Sequence, residues 1–315
     1  VIWDNYDSMT KYMDYSAKKW EKGDLKGPMT LGDWLAPEET DISLICHAFY
    51  GYNARIMSKM AKAIGRQADA QKYRQLYDEL KESFNRQYLD HKTGKTKEHT
   101  QCSYALPLSY GMITESNFTK VGAQLAAKTK EIGYLVQTGF FGTAPLCPML
   151  TETGYVKDAY RLMEQTKCPS WLYPVTQGAT SVWERWDSYT EKGGFGGHNN
   201  MNSFNHYSLG AVSEWFYRYV LGIRRDEDHP GYQHFTAKPE IAVWKYAKGG
   251  FESPFGRIEA SWERIEERTI SREHLKKYRY QLTVPANTSA TVVLQDGSMR
   301  NVGSGTYEFL YEITE

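Results

Sequence analysis

The sequence predicts a mainly α chain with an all-β tail, an α/α toroid followed by a small antiparallel β-sandwich. Three observations predict it. Apolar residues recur at helical spacing in successive pairs of segments joined by short turns. The pairs are followed by one long irregular stretch rich in Gly, Asn and aromatics. After "RRDEDHPGY" (224–232) the pattern changes to period two, which is the strand signature. Antiparallel helical hairpins whose irregular loops gather at one end are the layout of a toroid. The boundary is placed so that residues 1–228 form the helical region and 229–315 the β-sandwich.

Taken in order, Ile2, Tyr6, Met9, Met13, Ala17 and Trp20 mark a first helix that breaks at "KGDLKGP". "GDWLAPEETD" (32–41) is a loop, and Thr40 or Asp41 at its end is placed to cap a long helix running to about residue 65. Residues 65–90 form a second helix that closes a hairpin, and "DHKTGKTKEHT" is a turn. "QCSYALPLSYGMI" and "ESNFTKVGAQLAAKTKEIG" make the next helical pair. "YLVQTGFFGTAPLCPMLTETG" reads as a short extended run, then a Gly/Pro-rich loop leading into a helix. "YVKDAYRLMEQTKCPSW" is helical up to Pro169, and residues 172–207 are irregular. Ser203 is placed to cap an amphipathic helix beginning "SFNHYSLGAV". Beyond 229, five period-two runs separated by Gly, Pro and Asn turns make the tail.

Composition narrows the function. Across 315 residues, 38 basic and 38 acidic residues cancel to a formal net charge of +0, so nothing favours nucleic acid or an anionic membrane surface as partner. No run of about 18 apolar residues suggests a membrane span. Cys46, Cys102, Cys147 and Cys168 are scattered, with no metal-ligand spacing, and read as free thiols. No metal or cofactor is implied. The 24 Tyr and 9 Trp suit a neutral, ring-shaped substrate and equally suit an aromatic core.

The stretch that asks for chemistry is "SVWERWDSY" (181–189), where Glu184 lies between Trp183 and Trp186 with Arg185 and Asp187 beside it. A flat apolar wall for a pyranose and a carboxylate aimed at its anomeric carbon are what sugar cleavage needs. The bland alternative is a loop acid paired with Arg185. Trp34 and Asp33, an aromatic beside an acid in a loop, can stack a ring face and hold hydroxyls, or can simply anchor the loop. His206 can donate to a sugar hydroxyl or bond to backbone. Tyr173, Phe140 and Phe141 are further candidate walls. The glycines of "GGFGGHNN" (193–200) lack the strand-to-helix context of a phosphate loop.

At "GDWLAP", "TGFFGTAPL", "SVWERWDSY" and "SFNHYSLGAVSEWFYRYVLGI" the sequence resembles the catalytic and C-terminal part of bacterial α-L-rhamnosidases, glycoside hydrolase family 78. The likeness runs across essentially the whole chain and includes "VPANTSATVVL" and "VGSGTYEF" in the tail. It implies a six-hairpin α/α barrel with flanking β domains and hydrolysis of terminal α-L-rhamnosides with inversion. Glu184 matches the general base. Trp34 and His206 match sugar contacts, with Asp33 in the same loop and Trp183 and Trp186 as flanking walls. The family's general acid lies in a D-x-x-x-R-x-E-R-x-G-W segment ahead of the GDW loop, and this sequence has no such segment. About eight helical segments fall short of six hairpins. With no initiator Met and a start inside a helical pattern, the sequence is expected to be the back portion of a longer rhamnosidase. That portion is nearly inactive alone and inclined to self-associate through faces meant for missing hairpins. Another α/α-barrel glycosidase, or a carbohydrate-binding or structural remnant without turnover, remain the alternatives. Linkage, aglycone and compartment stay open.

Overall fold

In the computed structural model, which describes residues 2–21, 31–196, 201–270 and 273–314, helices account for most of the chain up to residue 176. They are α1 (Ile2–Glu21), α2 (Ile42–Ala63), α3 (Gln67–Tyr88), α4 (Gln101–Ser109), α5 (Glu115–Glu131), α6 (Phe140–Glu152), α7 (Val156–Met163) and α8 (Leu172–Thr176). The chain clusters into two units, Val1–Gly210 and Ala211–Glu315.

In the first unit, Asp41 starts α2 by accepting the Ser43 N–H at 2.8 Å, which satisfies one of the amides a helix leaves open at its amino end. α2 then packs on α3, whose Tyr73, Tyr77, Leu80 and Phe84 form one buried stripe at helical spacing. Fully burying a side chain such as Phe84 contributes roughly 1.5–3 kcal/mol. Thr100 and Ser103 form a reciprocal capping box at the start of α4, which packs on α5 and α6. A two-stranded ribbon, β1 (Tyr189–Thr190) with β2 (Gly194–Phe195), interrupts the irregular stretch.

Three local expectations are corrected. The Gly/Pro-rich segment after residue 139 is helix, not loop: α6 runs through Pro145 and Pro148. An interior proline costs about 3 kcal/mol. Here burial offsets that cost, since Leu146, Cys147 and Leu150 are fully enclosed, and the amino end is capped from elsewhere in the chain. α7 stops at Met163, short of Pro169. Ser203 does not cap a helix. Helical structure resumes only at Ser208, as a 3-10 turn (Ser208–Val212) that passes through Ser213–Trp215 into a π-helical turn (Phe216–Val220). The backbone N–H and C=O of Ser203 are both engaged by Glu184 instead. The break at "KGDLKGP" and residues 197–200 of the glycine-rich loop lie outside the described residues.

The second unit holds two four-stranded sheets. β5 (Tyr246–Ser253), β6 (Gly256–Ile270), β7 (Glu273–Val284) and β10 (Gly305–Thr314) pair antiparallel in the order β10-β7-β6-β5. β3 (Ile223–Arg225), β4 (His234–Ala237), β8 (Ser289–Val293) and β9 (Met299–Val302) make the second sheet in the order β3-β4-β8-β9. That sheet is mixed, because β4 and β8 run parallel (His234 opposite Ser289, Ala237 opposite Val292). The purely antiparallel tail is corrected accordingly. β5 to β7 all lie between these two strands in sequence, a connection long enough for a parallel return. Residues 211–228, read as the end of the helical region, cluster with the strands. The Trp262 indole donates to Val220 O at 2.7 Å and the Tyr280 hydroxyl to Leu221 O at 3.2 Å. Among the described residues no helix is long and apolar enough to cross a membrane.

Candidate active site

The candidate residues come from three segments far apart in sequence, and the GDW loop ties the first two together. Asp33 is 6% exposed, yet both its carboxylate oxygens are occupied. Oδ2 accepts the Gly139 N–H at 2.7 Å, and Oδ1 accepts those of Phe141 and Gly142 at 2.8 and 2.9 Å. These amides are the open amino end of α6, where the helix dipole also favours an anion. Burial pushes the Asp33 carboxyl above its ordinary range, against the downward pull of those three amides. The neighbouring backbone adds a fourth link, from Phe140 N–H to Trp34 O at 3.0 Å. Such close approach requires glycine at 139, since a Cβ there would sit 2.2 Å from Trp34 O and 2.4 Å from Asp33 O.

The third segment is the WERW stretch with its partner strand. Glu184 is 7% exposed. Its N–H donates to Ser203 O at 2.9 Å, and its Oε2 accepts the Ser203 N–H at 2.7 Å. Among the described residues Oε1 receives no hydrogen bond. Arg185 does not pair with Glu184. Its Nε donates to Asp187 Oδ1 at 3.0 Å. The local ladder continues with the His206 N–H donating to Val182 O at 2.8 Å.

Trp186 is fixed at both ends of its ring, the indole N–H donating to Thr138 O at 2.8 Å and the ring meeting Trp171 edge-to-face at 5.3 Å. Trp183 is equally enclosed and meets the Phe204 ring at 5.3 Å. His206 stacks on Phe140 at 5.0 Å between centroids and on the exposed Tyr207 at 5.1 Å. The Ser208 N–H donates to its Nδ1 at 3.3 Å, which places the proton of a neutral ring on Nε2.

A cavity of about 550 Å³ takes in Asp33, Trp34, Glu39, Arg185, Trp186 and Asp187, large enough for a sugar. A smaller one of about 240 Å³ is walled by Trp171, Val182, Trp183 and Trp186. Trp34 and Trp186, expected as sugar walls, thus share one cavity. Glu184 and His206 are not among the residues lining it. Glu184 is next in sequence to Arg185, which does line it, whereas His206 stacks on Phe140, which does not. Phe141 packs instead on Phe49 at 4.8 Å. The sequence reading missed Ser203 as the partner of Glu184 and Thr138 as the partner of Trp186. Both contacts run through backbone atoms, which carry no residue-type signal.

Residues 1–220 match the bacterial α-L-rhamnosidase 6 hairpin glycosidase domain, and residues 222–308 match the bacterial α-L-rhamnosidase C-terminal domain. The chain belongs to the bacterial α-L-rhamnosidase family. Similar relatives include an α-L-rhamnosidase of Formosa agariphila, 33% identical over 303 residues, and one of Streptomyces avermitilis, 33% identical over 297. Each alignment covers 93% of this chain, but only 31% and 27% of those rhamnosidases. The chain thus spans about a third or less of the length of the curated relatives it matches. Among solved structures, Streptomyces avermitilis α-L-rhamnosidase complexed with L-rhamnose superposes with a TM-score of 0.83 at 30% identity, over 98% of this chain and 31% of that one. The Aspergillus terreus α-L-rhamnosidase superposes at 0.79 with 27% identity, over 89% of this chain and 33% of that one.

Proposed function

We propose that this chain carries the water-activating half of an inverting α-L-rhamnosidase site, on helices that form part of a six-hairpin α/α barrel. The observation that carries the reading is the setting of Glu184. The carboxylate is buried beside Trp183 and Trp186, with one oxygen held by the Ser203 N–H and the other without a described donor. That second oxygen takes the proton of a water as the water attacks the anomeric carbon from the face opposite the leaving group. Trp34 offers a flat wall to the sugar, whose C6 methyl makes one side of rhamnose apolar. His206 Nε2–H donates to a hydroxyl. The partner of the reaction is a rhamnose-containing glycan or glycoside.

Inversion also needs an acid to protonate the departing oxygen, about 6.5–9.5 Å from the base. Most nearby carboxylates in this chain have other work. Asp33 caps α6, Asp187 pairs with Arg185, and Glu38 Oε1 accepts from buried Lys128 at 2.8 Å. We therefore assign the acid to residues outside this sequence. The reading is tested in the full polypeptide that carries it. Glu184→Gln keeps the shape but cannot accept the proton, so kcat should fall about 10²–10⁴-fold with KM little changed. The first-formed sugar, followed by NMR, should be the β-anomer. Retained turnover, or an α-anomeric first product, overturns the assignment.

A further inference from the structure

We infer that Asp33 is a positioning residue of the rhamnoside site, holding Trp34 and the Phe140–His206 ring pair in register through the amino end of α6. The inference rests on the reading of Trp34 and His206 as sugar contacts and goes beyond it, because Asp33 itself touches no sugar in this scheme. The geometry sets it apart from an ordinary cap. α2 and α4 take their caps from the residues just before them, Asp41 and Thr100. The residue just before α6 is Gly139, which has no side chain to offer, and the helix takes its cap from a carboxylate 106 residues away in sequence. A local cap stabilises its own helix, whereas this one couples a helix to a remote loop.

The coupling has few ways to slip. Three amide bonds to Asp33 and the Phe140 N–H bond to Trp34 O tie residues 33–34 to residues 139–142. A Cβ at Gly142 would meet Asp33 Oδ2 at 2.8 Å, and Gly139 faces the Asp33 and Trp34 carbonyls, so loop and helix are in direct backbone contact. Just beyond, Leu35 is held at φ +63°, a conformation that a leucine adopts only where the surroundings impose it. The Ala36 N–H closes that turn on Asp33 O at 3.0 Å. At the other end of the link, the Phe140 ring lies 5.0 Å from the His206 ring at an interplanar angle of 28°. Displacing the carboxylate therefore moves Trp34 on one side and the seat of His206 on the other.

The test is Asp33→Asn in the full polypeptide, assayed on a nitrophenyl α-L-rhamnoside and on a rhamnosyl disaccharide. The amide keeps one acceptor oxygen but turns an N–H₂ toward amides that themselves donate, so at least one of the three bonds is lost. For a positioning role, KM should rise on the order of tenfold on both substrates while kcat stays within about threefold, and binding of L-rhamnose itself should weaken in parallel. An unchanged KM in folded protein overturns the inference. A kcat loss confined to the disaccharide also overturns it, because Asp33 would then be the proton donor. Should Asp33→Asn fail to fold, Phe140→Ala serves in its place. It removes the ring under His206, leaves every bond to Asp33 available, and must raise KM by itself. Failure of the Glu184 assignment is read separately, from retained kcat in Glu184→Gln.

Discussion

Replacing Gly139 by alanine isolates the backbone contact that joins the GDW loop to the start of α6. The added Cβ would lie 2.2 Å from Trp34 O, and real Cβ contacts essentially never fall below 3.0 Å, so the carbonyl must withdraw by at least 0.8 Å (3.0 − 2.2). The Phe140 N–H bond to that same oxygen starts at 3.0 Å and does not survive such a shift. The Gly139 N–H bond to Asp33 Oδ2, at 2.7 Å, is strained or lost with it. A neutral backbone bond contributes about 0.5–1.5 kcal/mol net and one to a charged acceptor about 1.5–3. Alanine returns about 0.4–1 kcal/mol by restricting the unfolded chain. The balance is a loss of about 1–4 kcal/mol from the helical unit. The control is Gly210→Ala, whose Cβ would sit at an ordinary 3.5 Å from Val182 Cγ2 and should leave stability unchanged or raise it by up to about 1 kcal/mol. Urea unfolding followed by tryptophan fluorescence measures both. Equal midpoints for the two variants would mean that the GDW loop and α6 adjust independently, and the structural argument would fail.

Two further outcomes are expected. Burial holds the His47 imidazole down to about 4, against 6.5 for a free ring, so between those values the unfolded chain binds a proton that the folded chain refuses. Stability should therefore fall as pH drops from about 6.5 to about 4, by roughly 3 kcal/mol from this group. His47→Gln, which keeps a donor toward Leu80 O, should flatten that limb in urea titrations at pH 7 and pH 4.5, and an unaltered limb would refute the assignment. If the acid lies outside this sequence, the isolated chain should leave a rhamnosyl disaccharide nearly untouched and show residual activity only on a nitrophenyl rhamnoside, whose phenolate leaves without a proton. Comparable rates on both would point to a donor inside the chain, with Glu39 at the cavity the first suspect.

The elements that sequence determined are those written in local pattern. The 3.6-residue stripe of Tyr73, Tyr77, Leu80 and Phe84 and the Asp41 cap need only near neighbours to be legible. Likewise the period-two alternation around Trp262 and Tyr280 suffices to announce strands. Glu184 between two indoles drew attention for the same reason, since a buried acid among aromatics is expensive unless held or used. What the tertiary structure decided involves partners far away in sequence. α6 exists despite two prolines because a carboxylate from residue 33 reaches its amino end. Ser203 looked like a cap because residue type suggests one, but its amide is taken by Glu184, 19 residues earlier. Asp33 reads in sequence as a group free to bind hydroxyls, whereas the fold surrounds it with three amides. The parallel return of β8 onto β4, some 50 residues later, has no signature in either strand alone. Local periodicity records which face a residue presents, but not which remote backbone group will be waiting there. That is settled only when the chain closes on itself.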